Sequence, residues 1–479
     1  QASFGQALAF LDQRDLAIER ARAQWGLGVV LAAIGSHTLA GTALADAADQ
    51  FTHSGQSAWR AGVMLDQALL QSAIGNDASA TRYAEEAVAT APKGSPAELQ
   101  ARLLVATLSA GDDPTAVYRE IASDADRLAL APVSAAAHHA LGRQLASKGL
   151  YREAEVSLRT ALAKTEELRG GLRHETSLTH FFDDSQTPYG DLVDVLLANG
   201  GPASAALMVG EQAKSRTLSD IVRGLVARSQ PEMSSEADSL DEDRRAIYGE
   251  LFSGAVPSGS DRSEVLRRRL RELETRRRLI DLETAGPVPQ PIEPAAVADI
   301  ELPEGTITIS FVRSGDLLHV FVVDGTRVTR SSQPVSAARL ADLVDHLRRQ
   351  WDKFRLGHDI LERHLPQLHR ATNAVLQEMY ELIIAPIEQL IRNIETAHLI
   401  FVPDGVAHDV PFAALFDGSH HLIEDYTISI VPSMLTLGHL PPRRTGPALV
   451  VGVADELAPL VEDEARAVAE RLPDSRLLC

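Results

Sequence analysis

Cysteine is nearly absent from this chain of 479 residues, whose only one is Cys479. A disulfide within the chain and a cysteine-based zinc site are therefore excluded, and the scarcity is typical of a reducing compartment. We accordingly expect a cytoplasmic protein. Aromatic residues are also scarce, at 5% of the chain, whereas alanine runs such as 135–137 occur. This composition favours close packing of helix on helix over an all-β core.

Positive charge is in deficit, because 46 basic residues face 66 acidic ones and give a formal net charge of −20. Such a surface does not suit a phosphate backbone or an anionic membrane, so neither nucleic acid nor a membrane is expected as a partner. Arginine outnumbers lysine by 41 to 5, which we take as a sign of a GC-rich, bacterial genome. The most apolar stretch, 26–48, is interrupted by polar residues and lacks a basic flank, so it does not read as a membrane span.

A regular spacing of small residues runs through the first half of the chain. A small residue is followed at offsets of 7, 12, 16 and 19 by Gly, Ala, an apolar residue and Ala. The spacing predicts a helical hairpin in which the first small residue lets helix A approach helix B and the glycine occupies the turn. The copies are Gly28, Gly35, Ala40, Leu44, Ala47; Ala68, Gly75, Ala80, Ala84, Ala87; Gly142, Gly149, Ala154, Leu158, Ala161; and, incompletely, Val193, Gly200, Ala205, Val209 and Leu104, Gly111, Ala116.

This pattern resembles the tetratricopeptide repeat, most closely at 135–168 and more generally across 1–225. In that family helix A lines a concave groove that binds a protein or peptide. The resemblance places Trp25, His139, Arg143 and Asp194 in this partner-binding groove; the alternative is that they are ordinary exposed residues. A carboxylate-clamp set of Lys and Asn is not visible at these positions, which argues against a ligand of the chaperone-tail type.

The segment 226–295 differs in composition from both halves and is predicted to be a charged helical connector with a Pro-rich end. Ser, Gly, Pro and acids fill 227–262, and an arginine-rich helix with leucines at helical spacing is predicted at 262–283. The run 286–294 then breaks the helix. A solvated helix along the solenoid is the favoured interpretation, and a nucleic-acid contact by the arginines is the alternative.

After Pro303 the helical period gives way to alternation typical of strands. Strands are predicted at 306–313, 317–323, 326–329, 398–402, 426–431 and 448–453, and helices at 337–354, 361–393 and 460–471. Strands that alternate with helices predict a sheet covered by helices on its faces.

Five separated motifs in this half resemble the N-terminal half of a CHAT domain, the caspase-like, separase-related cysteine peptidase family that is often fused behind tetratricopeptide repeats. They are LIFVPDG at 399–405, VPFAAL at 410–415, LIEDY at 422–426, VPS at 431–433 and EDEA at 462–465. The segment EQAKSRTL at 211–218 resembles the last-repeat segment ahead of such domains. The resemblance implies an α-solenoid of tetratricopeptide-like helical hairpins at 1–225, the connector, and an α/β caspase-like domain at 296–479, of which the chain has the N-terminal, pseudo-protease half only.

The family's chemistry uses a Cys thiolate as nucleophile and a His that activates it. The sequence has no match to the family's motif for the catalytic His or to its motif for the catalytic Cys. Cys479 falls ahead of the strand expected to carry the His, so we expect its thiol to be incidental. Because the chain begins with Gln1 and stops within what reads as continuing sequence, we expect a fragment.

The resemblance thus implies a protein-interaction scaffold coupled to a caspase-like cysteine endopeptidase whose His/Cys dyad would lie beyond residue 479, with this chain itself inactive. No catalytic residue, cofactor or metal is assigned. The alternative is a non-catalytic scaffold or pseudoprotease that assembles protein complexes through its repeats.

Two groupings of His and acidic residues are weaker candidates for a site. His174 and His180 with the neighbouring Asp183 and Asp184 could form a zinc site, but the His spacing is not that of a metalloprotease helix. A second set around the strand at 398–402 could serve acid/base chemistry, although the same segment is a scaffold motif in the family that it resembles, and turn formation accounts for Asp404. This second set is His398, Asp404, His408 and Asp409.

Overall fold

The computed structural model describes residues 16–109, 113–170, 187–214, 305–353, 358–392, 398–439, 448–454, 460–472 and 475–478, with six single positions between 243 and 273. The His174 grouping, Cys479 and most of the connector at 226–295 lie outside these residues.

The first half is an α-solenoid of antiparallel helical hairpins, each packed on the next along the chain. Ten helices belong to it within the described residues. They are α1 Ala17–Ala33 and α2 His37–His53; α3 Ser57–Ala73 and α4 Asp77–Thr90; α5 Pro96–Leu108 and α6 Thr115–Arg127; α7 Ala131–Ser147 and α8 Tyr151–Gly170; α9 Thr187–Ala198 and α10, residues 203–214.

The small-residue spacing produces close helix contact within each hairpin. A Cβ added to Gly28 would lie 2.7 Å from Leu44 Cγ, and one added to Gly142 would lie 2.6 Å from Leu158 Cγ. The turn position of the repeat has a left-handed backbone, with φ of +73° at Gly149. The predicted hairpins are therefore confirmed, and the alanine positions are fully buried, at Ala40, Ala47, Ala80, Ala87, Ala154 and Ala161. None of the helices in the described part of the chain is long and apolar enough to cross a bilayer, and the stretch 26–48 forms most of the first hairpin.

The second half is a mixed sheet with helices, as the alternation predicted. The strand order is β3-β2-β1-β5-β6, with β4 beside β2; β2 is antiparallel to β1, β3 and β4, and β5 is parallel to β1 and β6. A separate parallel pair, β7 and β8, packs against α15. The elements are β1 Thr306–Ser314, β2 Leu317–Asp324, β3 Arg327–Arg330, β4 Val335–Ser336, α11 Ala337–Asp352, α12 His358–Ile383, α13 Glu388–Arg392, β5 His398–Val402, α14 Leu422–Asp425, β6 Thr427–Ile430, β7 Leu449–Val451, α15 Val461–Arg471 and β8 Arg476–Leu478.

One predicted helix is divided in two. The pattern at 361–393 predicted a single helix, and α12 does run through Pro366. At Pro386 the chain tightens into the 3-10 turn Ala385–Ile387 before α13 begins. Proline has no backbone N–H to continue an α-helical ladder, which explains the break.

The sheet is covered on both faces, and one of its covers comes from the solenoid. Alternate residues of β1, among them Ile309 and Phe311, face α11 and α12 in one apolar core. The opposite face packs against α9, α10, Met434 and parts of the fourth hairpin in a second core. The sheet residues of this second core are Val312, Phe321, Val323, Ile400 and Val402, and the helix residues include Leu192, Val193, Leu196, Ala206 and Leu207.

Two glycines let the last hairpin lie directly on β1. A Cβ added to Gly210 in α10 would stand 2.5 Å from Cγ1 of Val312, and one added to Gly190 in α9 would stand 3.0 Å from the carbonyl oxygen of Arg313. The exact position of the boundary predicted at 225 stays a prediction, but packing is continuous from the fifth hairpin into the sheet.

Candidate functional site

A buried ion pair lies where α10 meets the sheet. Glu211 is 0% exposed, and its Oε1 accepts hydrogen bonds from Lys214 Nζ at 2.8 Å and from Ser310 Oγ at 2.6 Å. Its Oε2 accepts from Ser433 Oγ at 2.8 Å and from the Met434 N–H at 2.7 Å. One carboxylate thus joins α10 to β1 and to the turn after β6.

Lys214 completes this cluster by donating to Ser310 Oγ at 2.9 Å and to the carbonyl of Val402, at the end of β5, at 3.3 Å. Ser433 also accepts from the Leu435 N–H at 3.2 Å, so it caps the following turn. A buried pair with this many hydrogen bonds is well compensated, which suits it to fixing the hairpin on the sheet. The segment 211–218, singled out from its resemblance, contains both charged members of the cluster.

Two aspartates of α9 connect this helix to both halves of the protein. Asp194 Oδ2 accepts from Ser314 Oγ at 2.6 Å, and its Oδ1 accepts from His319 Nε2 at 2.7 Å. Burial alone would raise the pKa of Asp194, but the hydrogen bonds from His319 and Ser314 outweigh it and hold that pKa below its usual value. The carboxylate therefore stays ionised at neutral pH.

Asp191, one turn earlier in α9, faces the fourth hairpin. Its Oδ2 lies 2.6 Å from His139 Nε2 and 3.7 Å from Arg143 Nε. Because a carboxylate can only accept, the imidazole Nε2 is the donor in this contact. Asp191 thereby links two residues that the repeat positions had assigned to the groove.

A cavity of about 200 Å³ opens beside these aspartates, between α7, α8 and α9. Residues Asp191, Asp194, Val195 and Ala198 form one face of α9 because they follow the i, i+3, i+4, i+7 spacing. The full lining is Arg143, Ala146, Tyr151, Leu158, Asp191, Asp194, Val195 and Ala198.

Three of the four predicted groove residues therefore meet in one place. Arg143 and Asp194 line the cavity, and His139 holds Asp191 at its edge. Trp25 lies elsewhere, in the first hairpin, where its Nε1 donates to Asp66 Oδ2 at 2.5 Å. The sequence missed Asp191, although its helical spacing from Asp194 was a usable signal. Whether these residues bind a partner stays a prediction.

Trp25 belongs to an aromatic cluster that joins the first two hairpins. Its ring meets Phe51 edge-on at 6.2 Å and Trp59 at 6.1 Å between centroids. The guanidinium of Arg22 lies 4.6 Å above the Trp59 ring. Part of this cluster reaches the surface, because Trp25 and Trp59 are only half-buried.

The acid/base set around β5 does not assemble. His398 contacts Ser429 Oγ at 2.9 Å, whereas Asp404 accepts from the Arg313 N–H at 2.8 Å. Asp409 pairs with Arg348 at 2.8 Å. Each of these three side chains therefore holds neighbouring segments together, through contacts to another strand or to a helix rather than within a turn.

One group of acids and His in the described chain is close enough to share a metal ion, namely Asp417, His420 and Asp425. Asp417 already accepts hydrogen bonds from the N–H groups of Ser419 and His420, both at 2.7 Å. These donors lower the pKa of Asp417 to about 2. The local turn therefore accounts for the position of this carboxylate without an ion.

The molecule is thus a helical-repeat protein whose last hairpin is built into an α/β sheet. Residues 373–478, from within α12 to β8, match the family model of the CHAT domain. The chain accordingly carries TPR-like repeats followed by a CHAT-domain segment, and that segment includes the motifs at 399–433.

Among the solved structures with similarity to this chain are Rap proteins and TPR-like repeats. The apo form of RapI is 13% identical, with 55% of this chain and 86% of that chain covered and a TM-score of 0.32. A point variant of nearly identical TPR-like repeats from a putative kinesin light chain of Podosopora anserina is 19% identical, with 43% and 98% covered and a TM-score of 0.32. A Rap protein complexed with competence and sporulation factor is 15% identical, with 58% and 85% covered and a TM-score of 0.28. Because these TM-scores are low, the repeat fold is identified from the helical hairpins described above. No curated protein matches the chain.

Proposed function

We propose that this protein is an interaction scaffold in which the TPR-like repeats bind a protein or peptide and are mechanically coupled to a caspase-like α/β domain. The observation that carries the proposal is the double role of α9 and α10. They form the fifth hairpin of the solenoid and, at the same time, the second layer of the sheet.

The coupling follows from how tightly this layer is held. The backbones of α9 and α10 approach β1 at Gly190 and Gly210, and Glu211 is hydrogen-bonded to groups on both edges of the contact. Packed interiors transmit displacement because they contain little free volume. A partner that tilts the last hairpin would therefore also displace β1 and the turn after β6.

The proposed partner-binding residues remain Trp25, His139, Arg143 and Asp194. The cavity beside Arg143 and Asp194 supports this assignment for the fourth and fifth hairpins. The half-buried aromatic cluster around Trp25 supports a second contact region on the first two hairpins. Both regions include residues of A helices, the helices that line the groove in tetratricopeptide repeats.

We further propose that the 479 residues do not cleave peptides by themselves and that they act in the cytoplasm. The CHAT family's chemistry requires a Cys nucleophile beside a His, and the one cysteine of this sequence is Cys479. A non-catalytic scaffold that assembles complexes through its repeats is the alternative for the whole protein. The low cysteine content supports a reducing compartment.

The binding proposal is tested by panning a displayed random-peptide library on the whole immobilised chain. The enriched peptides are then mapped by amide hydrogen exchange. We expect protection in α7 and α9, accompanied by a change in β1 or β5. Protection confined to α11 and α12 would contradict binding by the repeats, and protection of α9 without any change in the sheet would contradict the coupling.

The proposal that these residues do not cleave peptides is tested separately with a randomised fluorogenic peptide library. We expect no cleavage above the rate without protein. Cleavage that disappears in Cys479→Ala would show that this chain is itself an active peptidase.

A further inference from the structure

We infer that the cavity between α7, α8 and α9 receives an arginine side chain of the bound partner. This inference rests on the proposed function, since it names the residue type that a peptide would present to the repeats. Its basis is the size of the cavity, the chemistry of its lining and the charge fixed at its edge.

The size suits one amino-acid side chain. Pockets for drug-sized ligands occupy roughly 300–1,000 Å³, whereas this cavity measures about 200 Å³. One long side chain is of a size to occupy this space.

The lining combines an apolar wall with carboxylates. Leu158 and Val195 are buried in the surrounding cores, and they supply the apolar surface together with Ala146 and Ala198. The Tyr151 side chain borders the same space. A side chain with an aliphatic stem and a charged end matches such a wall, because the stem packs while the end stays near polar groups.

The charged end should be positive because two carboxylates on consecutive turns of α9 line the cavity. Asp194 is held ionised by its hydrogen bonds from Ser314 and His319, and its side chain remains 46% exposed. Asp191 is held by His139 and remains 26% exposed. Each carboxylate oxygen has two acceptor positions, so both groups can still accept from a ligand.

Arginine suits this arrangement better than lysine does. A guanidinium presents five N–H donors in a planar fork, so it can donate to two carboxylates at once. The ammonium group of lysine is a compact point charge with stronger hydration, and it gives up more water for the same contact.

Arg143, which lines the cavity, is held only weakly by Asp191 and would compete with an arginine of the partner for the carboxylates. Its Nε lies 3.7 Å from Asp191 Oδ2, and its side chain is 66% exposed. An exposed pair of this kind contributes little. Arg143 could instead receive an acidic ligand, and the two possibilities predict opposite effects of its removal. Without Arg143, an arginine ligand would bind more tightly and an acidic ligand more weakly.

The test uses four pools of fluorescent heptapeptides with randomised flanks and a central Arg, Lys, Glu or Leu. Their affinities for the whole chain are measured by fluorescence polarisation at two salt concentrations. We expect the Arg pool to bind about fivefold more tightly than the Leu pool, more tightly than the Lys pool, and less tightly at high salt.

Two pairs of variants locate the site. Arg143→Ala should increase the affinity of the Arg pool about twofold or more. Its control, Arg119→Ala, removes a similarly exposed arginine that lies outside the cavity, 3.8 Å from Glu153, and should leave the affinity unchanged. Asp191→Asn should weaken the Arg pool about threefold. Its control, Asp126→Asn, alters a comparable contact with His138 and should leave the affinity unchanged.

The outcomes separate this inference from the proposed function. Tightest binding of the Glu or Leu pool, or a loss of Arg-pool affinity in Arg143→Ala, would overturn the arginine site while peptide binding by the repeats stands. Failure of all four pools to bind would overturn both. Thermal unfolding of each variant identifies any affinity change that comes from lost structure.

Discussion

The contact of α10 with β1 can be tested with a single added methyl group. In Gly210→Ala the new Cβ would stand 2.5 Å from Cγ1 of Val312 and 3.0 Å from its Cβ. Val312 is 2% exposed, and its β-branched side chain has few rotamers, so it cannot turn away. The helix would have to move off the strand, and we expect α10 and β1 to open more readily.

The magnitude follows from two opposing effects. Alanine is favoured over glycine inside a helix by about 1 kcal/mol, while overpacking of a filled core costs about 1–3 kcal/mol. Gly41→Ala in α2 is the matched control, because its added Cβ would find its nearest atom, Leu70 Cδ2, at 3.9 Å. We expect the stability of Gly210→Ala to fall about 1–3 kcal/mol below that of the control, since the helix-propensity gain is common to both.

Amide hydrogen exchange in α10 and β1 is the appropriate measurement, because a protein of several packed units need not unfold in two states. The opening free energies of α10 and β1 should drop together in Gly210→Ala. The double variant Gly210→Ala/Val312→Ala should recover part of this loss, because the side chain that the new methyl group meets is shortened. Equal stabilisation in Gly210→Ala and Gly41→Ala would refute the shared core.

Three further predictions concern charged groups. Glu211→Ala should lower the opening free energy of α10 by about 3–5 kcal/mol because Lys214 is left as an uncompensated buried charge, and replacing both residues by Met should cost less; amide hydrogen exchange in α10 measures both variants. Backbone N–H donors lower the pKa of Asp417 from 3.8 to about 2, so the ionised carboxylate should stabilise the fold above pH 4, and this stability should be lost as the pH falls through about 2. A carbon-13 NMR titration of the Asp417 carboxyl measures this pKa. A midpoint near 3.8 would contradict the hydrogen bonds from the backbone. Burial raises the pKa of Asp66, and Trp25→Phe should raise it further by removing the indole donor. The lost hydrogen bond should cost about 1 kcal/mol at neutral pH, and this part of the stability loss should disappear in acid, whereas the loss of ring packing should not. An unchanged NMR midpoint would show that the hydrogen bond is not formed.

The repeats were predictable because their determinants are local. The residues of one hairpin that touch, such as Gly28 with Leu44 or Gly142 with Leu158, are sixteen positions apart in every copy, so their spacing is visible in the sequence. The strands were also visible as runs of β-branched and apolar residues, although β1 and β2 are buried on both faces rather than on alternate residues only.

The joining of the two halves was not predicted, because its contacts are distant in sequence. One signal was available in α9, whose buried residues include Tyr189, Leu192, Val193 and Leu196. A helix that is apolar on most sides is buried on most sides, which a helix at the end of an exposed solenoid would not be.

The candidate site was predictable in part. The repeat positions identified Arg143 and Asp194, both of which line the cavity. The partner of Asp194 on the sheet, His319, could not be inferred, because 125 positions separate the two and no periodicity relates them. The sequence therefore indicated which helix faces matter but not what holds their charges in place.

The shared hairpin also imposes an order of events during synthesis. Hairpins one to four make local contacts and can fold as they leave the ribosome. Glu211, in contrast, receives hydrogen bonds from Ser310 and Ser433, which lie 99 and 222 positions further along the chain. At about 5–20 residues per second, the last of these partners is made roughly 10 to 45 s after Glu211. For that interval the apolar faces of α9 and α10 await the sheet, so the rate of translation through 215–433 sets how long a nascent chain exposes them.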